Sequence, residues 1–197
     1  MPDLDCPSTA PISTTAIAAL RDGTQVRLRP LRPTDRDLYR RAVDSLSPRT
    51  IALRFGGAKR RLTEREVDHF LDNGHDGGEA LVATTIAGTT ILAVGRYALM
   101  PTDATTAEVA LVVADEWQTK GLGGLLLTRL VHCAGLARYT RLYAQSDVDN
   151  TPIAVLLRRH GFHTTSISRG VVEWEAELHP GSTPTLVLPD LRETPVG

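Results

Sequence analysis

Seven residues between two apolar runs hold the densest chemistry in the chain. Gln118-Thr119-Lys120-Gly121-Leu122-Gly123-Gly124 follows the run Val109 to Ala114 and opens directly into Leu125-Leu126-Leu127-Thr128-Arg129-Leu130-Val131. The pattern reads as a strand, a short loop and the first turn of an amphipathic helix. A helix start leaves several backbone N–H groups unpaired and aimed at one point, where the helix dipole adds partial positive charge. Glycine removes the side chain that would hold a phosphate away from that backbone. The guest such a loop fits is a pyrophosphate.

Spacing excludes the two commonest phosphate loops. A P-loop needs Gly, four residues and then Gly-Lys-Ser/Thr, and no such run exists here. A dinucleotide fingerprint needs a glycine three residues after Gly123, where the chain has Leu126. What remains is Gln-x-x-Gly-x-Gly, carried by Gln118, Gly121 and Gly123. About thirty residues on comes Asn150-Thr151-Pro152-Ile153-Ala154-Val155-Leu156-Leu157-Arg158-Arg159-His160-Gly161-Phe162. Asn150 or Thr151 can cap a helix whose first turn tolerates Pro152, and Gly161 can end it in the left-handed conformation before Phe162 starts a strand. The two signatures, in this order, resemble those of the GCN5-related N-acetyltransferase (GNAT) family.

That resemblance implies a mixed α/β fold: a mostly antiparallel, twisted sheet flanked by helices and splayed open where acetyl-CoA binds. It implies that the pyrophosphate meets Gln118, Thr119, Lys120, Gly121, Leu122, Gly123 and Gly124, with Asn150 of the second signature also on the cofactor. The main chain of Leu111, Val112 and Val113 would pair with the pantetheine arm, and one of those amides would hold the thioester oxygen. Transfer would be direct, from acetyl-CoA to a primary amine. An ammonium with a pKa of roughly 10.4 must lose its proton before it attacks, so a base helps. Glu108, in Ala107-Glu108-Val109-Ala110-Leu111, is the candidate, and its apolar neighbours predict a buried carboxylate with a raised pKa. Asp115 and Glu116 are alternatives, expected to be solvated in the loop. Many family members carry a tyrosine at the position of Leu157 to protonate the leaving thiolate; Tyr143 and Ser146 are the substitutes on offer.

The stretch Asp22 to Asp35, with Leu46-Ser47-Pro48 and Leu53-Arg54-Phe55, is similar to the catalytic domain of bacterial protein lysine acetyltransferases. A protein lysine is therefore the first candidate acceptor, a small amine the second, and a non-catalytic acyl-CoA-binding module the third reading. With about twenty residues ahead of Asp22, no fused nucleotide-sensing module is expected.

Composition bounds the rest. The chain has 197 residues, enough for one domain with a full core, and a formal net charge of −1, which gives no basic field for nucleic acid. Lysine occurs only at 59 and 120. Two cysteines, Cys6 and Cys133, do not make a disulfide framework, and a cytoplasmic setting is expected. No stretch has the length to span a bilayer and the N-terminus lacks the form of a signal peptide. Six histidines show no metal-ligand spacing, so no metal is expected. Oligomeric state, monomer or dimer, stays open. The expected organisation is a flexible arm over 1–20, the catalytic domain over 21–178 and a Pro-rich tail over 179–197. Within the domain the pattern predicts a strand, helices, a three-strand meander, then helix, strand, helix and two strands.

Overall fold

The computed structural model describes residues 15–55, 62–71, 78–178 and 192–193. Strands β1 (Ala16–Ala19), β2 (Gln25–Pro30), β3 (Glu79–Thr85), β4 (Ile91–Met100), β5 (Asp103–Val113), β6 (Arg141–Asp147), β7 (His163–Ser168), β8 (Val171–Glu177) and β9 (Arg192–Glu193) form one sheet. Its order is β7-β8-β6-β5-β4-β3-β2-β1-β9. Helices α1 (Arg36–Asp44), α2 (Pro48–Phe55) and α3 (Glu64–Leu71) precede β3; α4 (Leu122–Leu136) joins β5 to β6, and α5 (Thr151–Arg159) joins β6 to β7. Every neighbouring pair is antiparallel except β5 and β6. That exception follows from connectivity, since parallel neighbours need a crossover and α4 is the crossover. The mixed, mostly antiparallel architecture matches the sequence expectation.

Strand alternation gives the sheet two apolar faces. In β3, Leu81 and Ala83 pack toward α4, while Ala80 and Val82 pack toward α1 and α3. α4 is apolar nearly all round and accordingly lies buried between sheet and α5. Its Leu126, Leu127 and Leu130 are wholly inaccessible, each contributing about 1.5–3 kcal/mol of burial. On the other face Tyr39, Val43, Val67 and Leu71 close a second core over Ala80, Val82 and Ile91. Arg29 fixes the entry to that layer: its Nη1 and Nη2 donate to the two oxygens of Asp35 at 2.6 and 2.8 Å, and the Arg32 amide donates to the same carboxylate at 2.8 Å.

Local signals hold where the sequence placed them. Thr63 and Glu66 form the expected reciprocal cap, with the Thr63 amide donating to Glu66 Oε2 at 2.8 Å and the Glu66 amide to Thr63 Oγ1 at 3.4 Å. Asn150 Oδ1 accepts from the Ile153 amide at 3.4 Å and so caps α5. Gly161, at φ +83°, ends α5, and the Phe162 amide closes back onto the Leu157 carbonyl. The sheet extends further than expected. Ala16–Ala19, inside the predicted arm, is a strand paired with β2, and Arg192–Glu193, inside the predicted tail, pairs with β1. A run of three alanines and one isoleucine has little strand signal of its own, so pairing decides it. Residues 1–14, 179–191 and 194–197 lie outside the described residues.

Candidate active site

β5 is paired along different lengths on its two sides. Toward β4 the ladder runs without a break from Ala98–Glu108 to Ala93–Val113. Toward β6 it covers only Thr106–Arg141, Ala107–Leu142 and Glu108–Tyr143. Past Glu108 the two parallel strands diverge. The Ala114 amide donates to the Leu92 carbonyl of β4 at 2.9 Å. Alternation along the strand therefore turns the main-chain groups of Val112 and Ala110 to β4 and those of Val109, Leu111 and Val113 into the gap. Of the three residues assigned to pantetheine, Leu111 and Val113 thus present amides to the gap, while the Val112 amide belongs to the β4 ladder. The gap is the floor of a cleft of about 400 Å³, lined by Val109 to Val113 on one side and by Ala144, Gln145 and Ser146 on the other.

Gly121, Gly123 and Gly124 line the same cleft. Gly121 is the N-cap of α4 with φ +94°, a conformation side chains rarely adopt, and Thr119 precedes it at φ +64°. The first-turn amides that follow have no partner within the helix. At Gly123 a Cβ would stand 3.4 Å from Leu156 Cδ2 and 3.6 Å from Val113 Cγ2, so glycine lets the first turn of α4 sit against both α5 and β5. Gln118 Nε2 donates to the Val113 carbonyl at 3.2 Å and to Thr50 Oγ1 at 3.3 Å, which holds the loop to β5 and to α2. Gln118, Thr119 and Asn150 line the cleft; Leu122 is buried in the core. The Lys120 side chain turns elsewhere: Nζ lies 3.3 Å from Asp22 Oδ2 and 4.9 Å from the Trp117 ring centroid.

Four arginines that the sequence did not single out line the cleft: Arg21, Arg49, Arg54 and Arg159. Arg21 comes from the turn between β1 and β2. Its amide donates to the Lys120 carbonyl at 3.4 Å, and its side chain packs over Gly121, 3.5 Å from where a Cβ would be. No local pattern marks it, because the strand that delivers it is itself invisible in the sequence.

Asp115 is not a free loop carboxylate. It accepts from the Ser47 amide at 2.8 Å and from the hydroxyls of Ser47 and Thr50, each at 2.7 Å, and so braces Ser47, whose Oγ accepts from the Thr50 amide at 3.2 Å and caps α2. Partial desolvation works against its ionised form, but these hydrogen bonds outweigh it and hold the carboxyl below its ordinary range.

Glu108 differs from expectation in its surroundings. Ala107 and Val109 are buried beneath α4, and alternation leaves Glu108 exposed on the opposite face. It shares that face with Ala110 and Val112 of β5 and pairs with Tyr143 across to β6. Tyr143 donates its hydroxyl proton to Glu173 Oε1 at 3.0 Å and accepts from Gln145 Nε2 at 2.6 Å; burial raises its pKa, and the carboxylates of Glu173 and Glu108 add to the rise. Ser146 is buried at the cleft wall, its oxygen accepting from Trp174 Nε1 at 2.9 Å, and Leu157 is buried beside it. Burial likewise lowers the pKa of the Arg54 guanidinium, a shift that Tyr39 and Glu108 oppose and Arg96 reinforces.

His160 is structural: Nδ1 lies 2.8 Å from the Leu156 carbonyl and therefore donates, leaving Nε2 to meet the Thr128 hydroxyl at 3.1 Å. Among the described residues no group of three or more His, Cys, Asp or Glu side chains is placed to hold a metal, and no helix is long and apolar enough to cross a membrane.

A sheet splayed beside a glycine-initiated helix defines an acyl-CoA N-acyltransferase class of fold. The family model of the acetyltransferase (GNAT) domain matches residues 25–163, and the chain belongs to that family of acyl-CoA-dependent N-acetyltransferases. It is 29% identical over 148 residues to the acetyltransferase PA5475 of Pseudomonas aeruginosa, covering 74% of this chain and 79% of that one. It is 27% identical over 164 residues to the acetyltransferase Pat of Mycolicibacterium smegmatis, covering 83% of this chain but 49% of Pat. The fold superimposes on the GNAT domain of S. lividans PAT with a TM-score of 0.78 at 26% identity, covering 83% of this chain and 97% of that domain.

Proposed function

We propose that the chain transfers an acetyl group from acetyl-CoA to a primary amine, with a protein lysine as the acceptor and residues 21–178 as the catalytic unit. The observation that carries this reading is the unpaired stretch of β5 beside the glycine loop. Gap-facing amides suit the amide-rich pantetheine arm, and first-turn amides with Arg21, Arg49 and Arg159 close by suit its phosphates. The lysine acceptor rests on the likeness to Pat and to the PAT domain, and on the similarity of the α1–α2 segment. A small amine is the second reading of the same site. Cys133 stays a free thiol, pushed up to about 12 by burial, which suits a cytoplasmic protein.

At neutral pH, deprotonating a lysine-type ammonium costs on the order of 4–5 kcal/mol. Glu108, exposed beside the β5–β6 junction, takes that proton through a water. The neutral nitrogen then bonds to the thioester carbonyl carbon, whose oxygen is held by a gap-facing β5 amide. The C–S bond breaks as the amide forms, and the thiolate takes up one proton. With a thiol pKa of roughly 8.5, it leaves without a dedicated acid. This fits Leu157 at the usual tyrosine position and a Tyr143 whose proton is committed to Glu173.

The test is acetyl-CoA turnover on lysine peptides and polyamines, wild type beside Glu108→Gln. A fall in kcat of about a hundredfold or more is expected near neutral pH, narrowing as pH approaches the amine's own pKa. Equal rates would remove Glu108 from the mechanism. CoA binding with no transfer to any amine would make the chain a binding module.

A further inference from the structure

On the sheet face away from α4, two guanidiniums share one aromatic ring. Arg54 lies 5.2 Å from the Phe55 centroid and 5.9 Å from that of Phe70, and Arg96 lies 5.7 Å from Phe70. With Tyr39, Ala110 and Val112 they enclose a void of about 10 Å³, roughly the room of one water molecule. Arg54, Ala110 and Val112 also line the large cleft, so the void is an annex of it.

Four other described arginines have acidic partners. Arg29 holds Asp35, Arg36 holds Glu64 and Asp68, Arg40 holds Glu64, and Arg141 holds Asp103. Among the described residues no carboxylate stands within 4.0 Å of Arg54 or Arg96. Two like charges gathered in a partly desolvated corner repel each other, and aromatic faces offset only part of that cost. An anion would offset the rest. Glu108 is within electrostatic reach of Arg54 but pairs with neither arginine.

We propose that Arg54 and Arg96 form an anion subsite of the acceptor pocket, so that the preferred acceptor is a primary amine that also carries a carboxylate. This rests on the transferase reading above. The spacing refines it. Arg96 sits opposite Ala110 in the β4–β5 ladder, two residues from Glu108, or about 7 Å along the strand. An α-amino group lies too near its own carboxylate to bridge that offset, whereas an ω-amine on a lysine-length chain reaches across it. The chemistry is met by a free ω-amino acid or by a protein lysine with an acidic neighbour.

Two matched pairs separate the sources: lysine against cadaverine, its decarboxylated form, and lysine peptides with Glu against Gln beside the acceptor. Wild type should show at least a tenfold higher kcat/KM for the carboxylate member of one pair, since charge-assisted, bidentate contacts are the strong ones. Arg54→Gln and Arg96→Gln should each pull that ratio toward one, mainly through KM, while Arg54→Lys and Arg96→Lys keep part of it. Circular dichroism and the thermal midpoint report the fold of each variant, and the lysine forms carry the test where a glutamine form does not fold. Equal efficiency within both pairs, or a ratio that both glutamine variants preserve, would overturn the subsite alone. No transfer to any amine would overturn the transferase reading and the subsite with it.

Discussion

In the proposed function the two sides of β5 recognise by different means. On the proposed cofactor side the instruments are main-chain groups: gap-facing amides of Val109, Leu111 and Val113, and first-turn amides after Gly121. On the proposed acceptor side they are side chains from separate elements: Glu108 from β5, Arg96 from β4 and Arg54 from α2. Backbone recognition tolerates almost any side chain except where one would intrude, so it leaves glycines at fixed spacing. Side-chain recognition can draw on any element that reaches the site, so it leaves no spacing at all. A single chain thus shows one half of its chemistry openly and conceals the other.

On that contrast the largest effect of a single substitution belongs to a loop glycine. Gly123→Asp places a carboxylate among the amides proposed for the diphosphate, and CoA affinity measured by calorimetry should fall by about a hundredfold or more, the loss of several charge-assisted bonds together. Gly123 is the better site for this than Gly121, whose φ of +94° would strain any replacement. Its new Cβ meets the flexible end of Leu156 at 3.4 Å, so the fold should survive. Unaltered affinity would break the comparison at its stronger half.

A smaller effect is expected at Asp115, which ties the halves together by bracing Ser47, the cap of α2, from the loop that precedes α4. Asp115→Asn should cost about 1 kcal/mol, the usual scale of a lost hydrogen bond, read as a shift in the urea midpoint. Because the folded-state pKa of Asp115 is lowered, its contribution is present above the unfolded value of about 3.9 and is lost as pH falls through the folded one. The gap between wild type and variant should therefore hold near neutral pH and close on acidification. A gap that widens at low pH would mean that the carboxylate is not what holds Ser47 in place.

The same contrast explains what the sequence disclosed. Gly121, Asn150 and Gly161 each answer a local backbone demand at a helix end, and each stands where the spacing put it. So does the Thr63–Glu66 cap. Arg21 escaped because its position depends on β1, a strand of small residues stabilised by pairing with β2 and β9 rather than by its own propensity. The exposure of Glu108 was misjudged because apolar neighbours in sequence point to the opposite face of a strand. Lys120 has the right type for a phosphate ligand, but Asp22 and Trp117 from outside the motif take up its side chain.

A crystal structure determined with excess CoA tests the central claim most directly. The account places the diphosphate against the amides of residues 121–124 and the pantetheine arm along Val109 to Val113, in the gap that β6 leaves open. Density for CoA elsewhere, or a β5 edge closed by β6 or by side chains under saturating ligand, would contradict it.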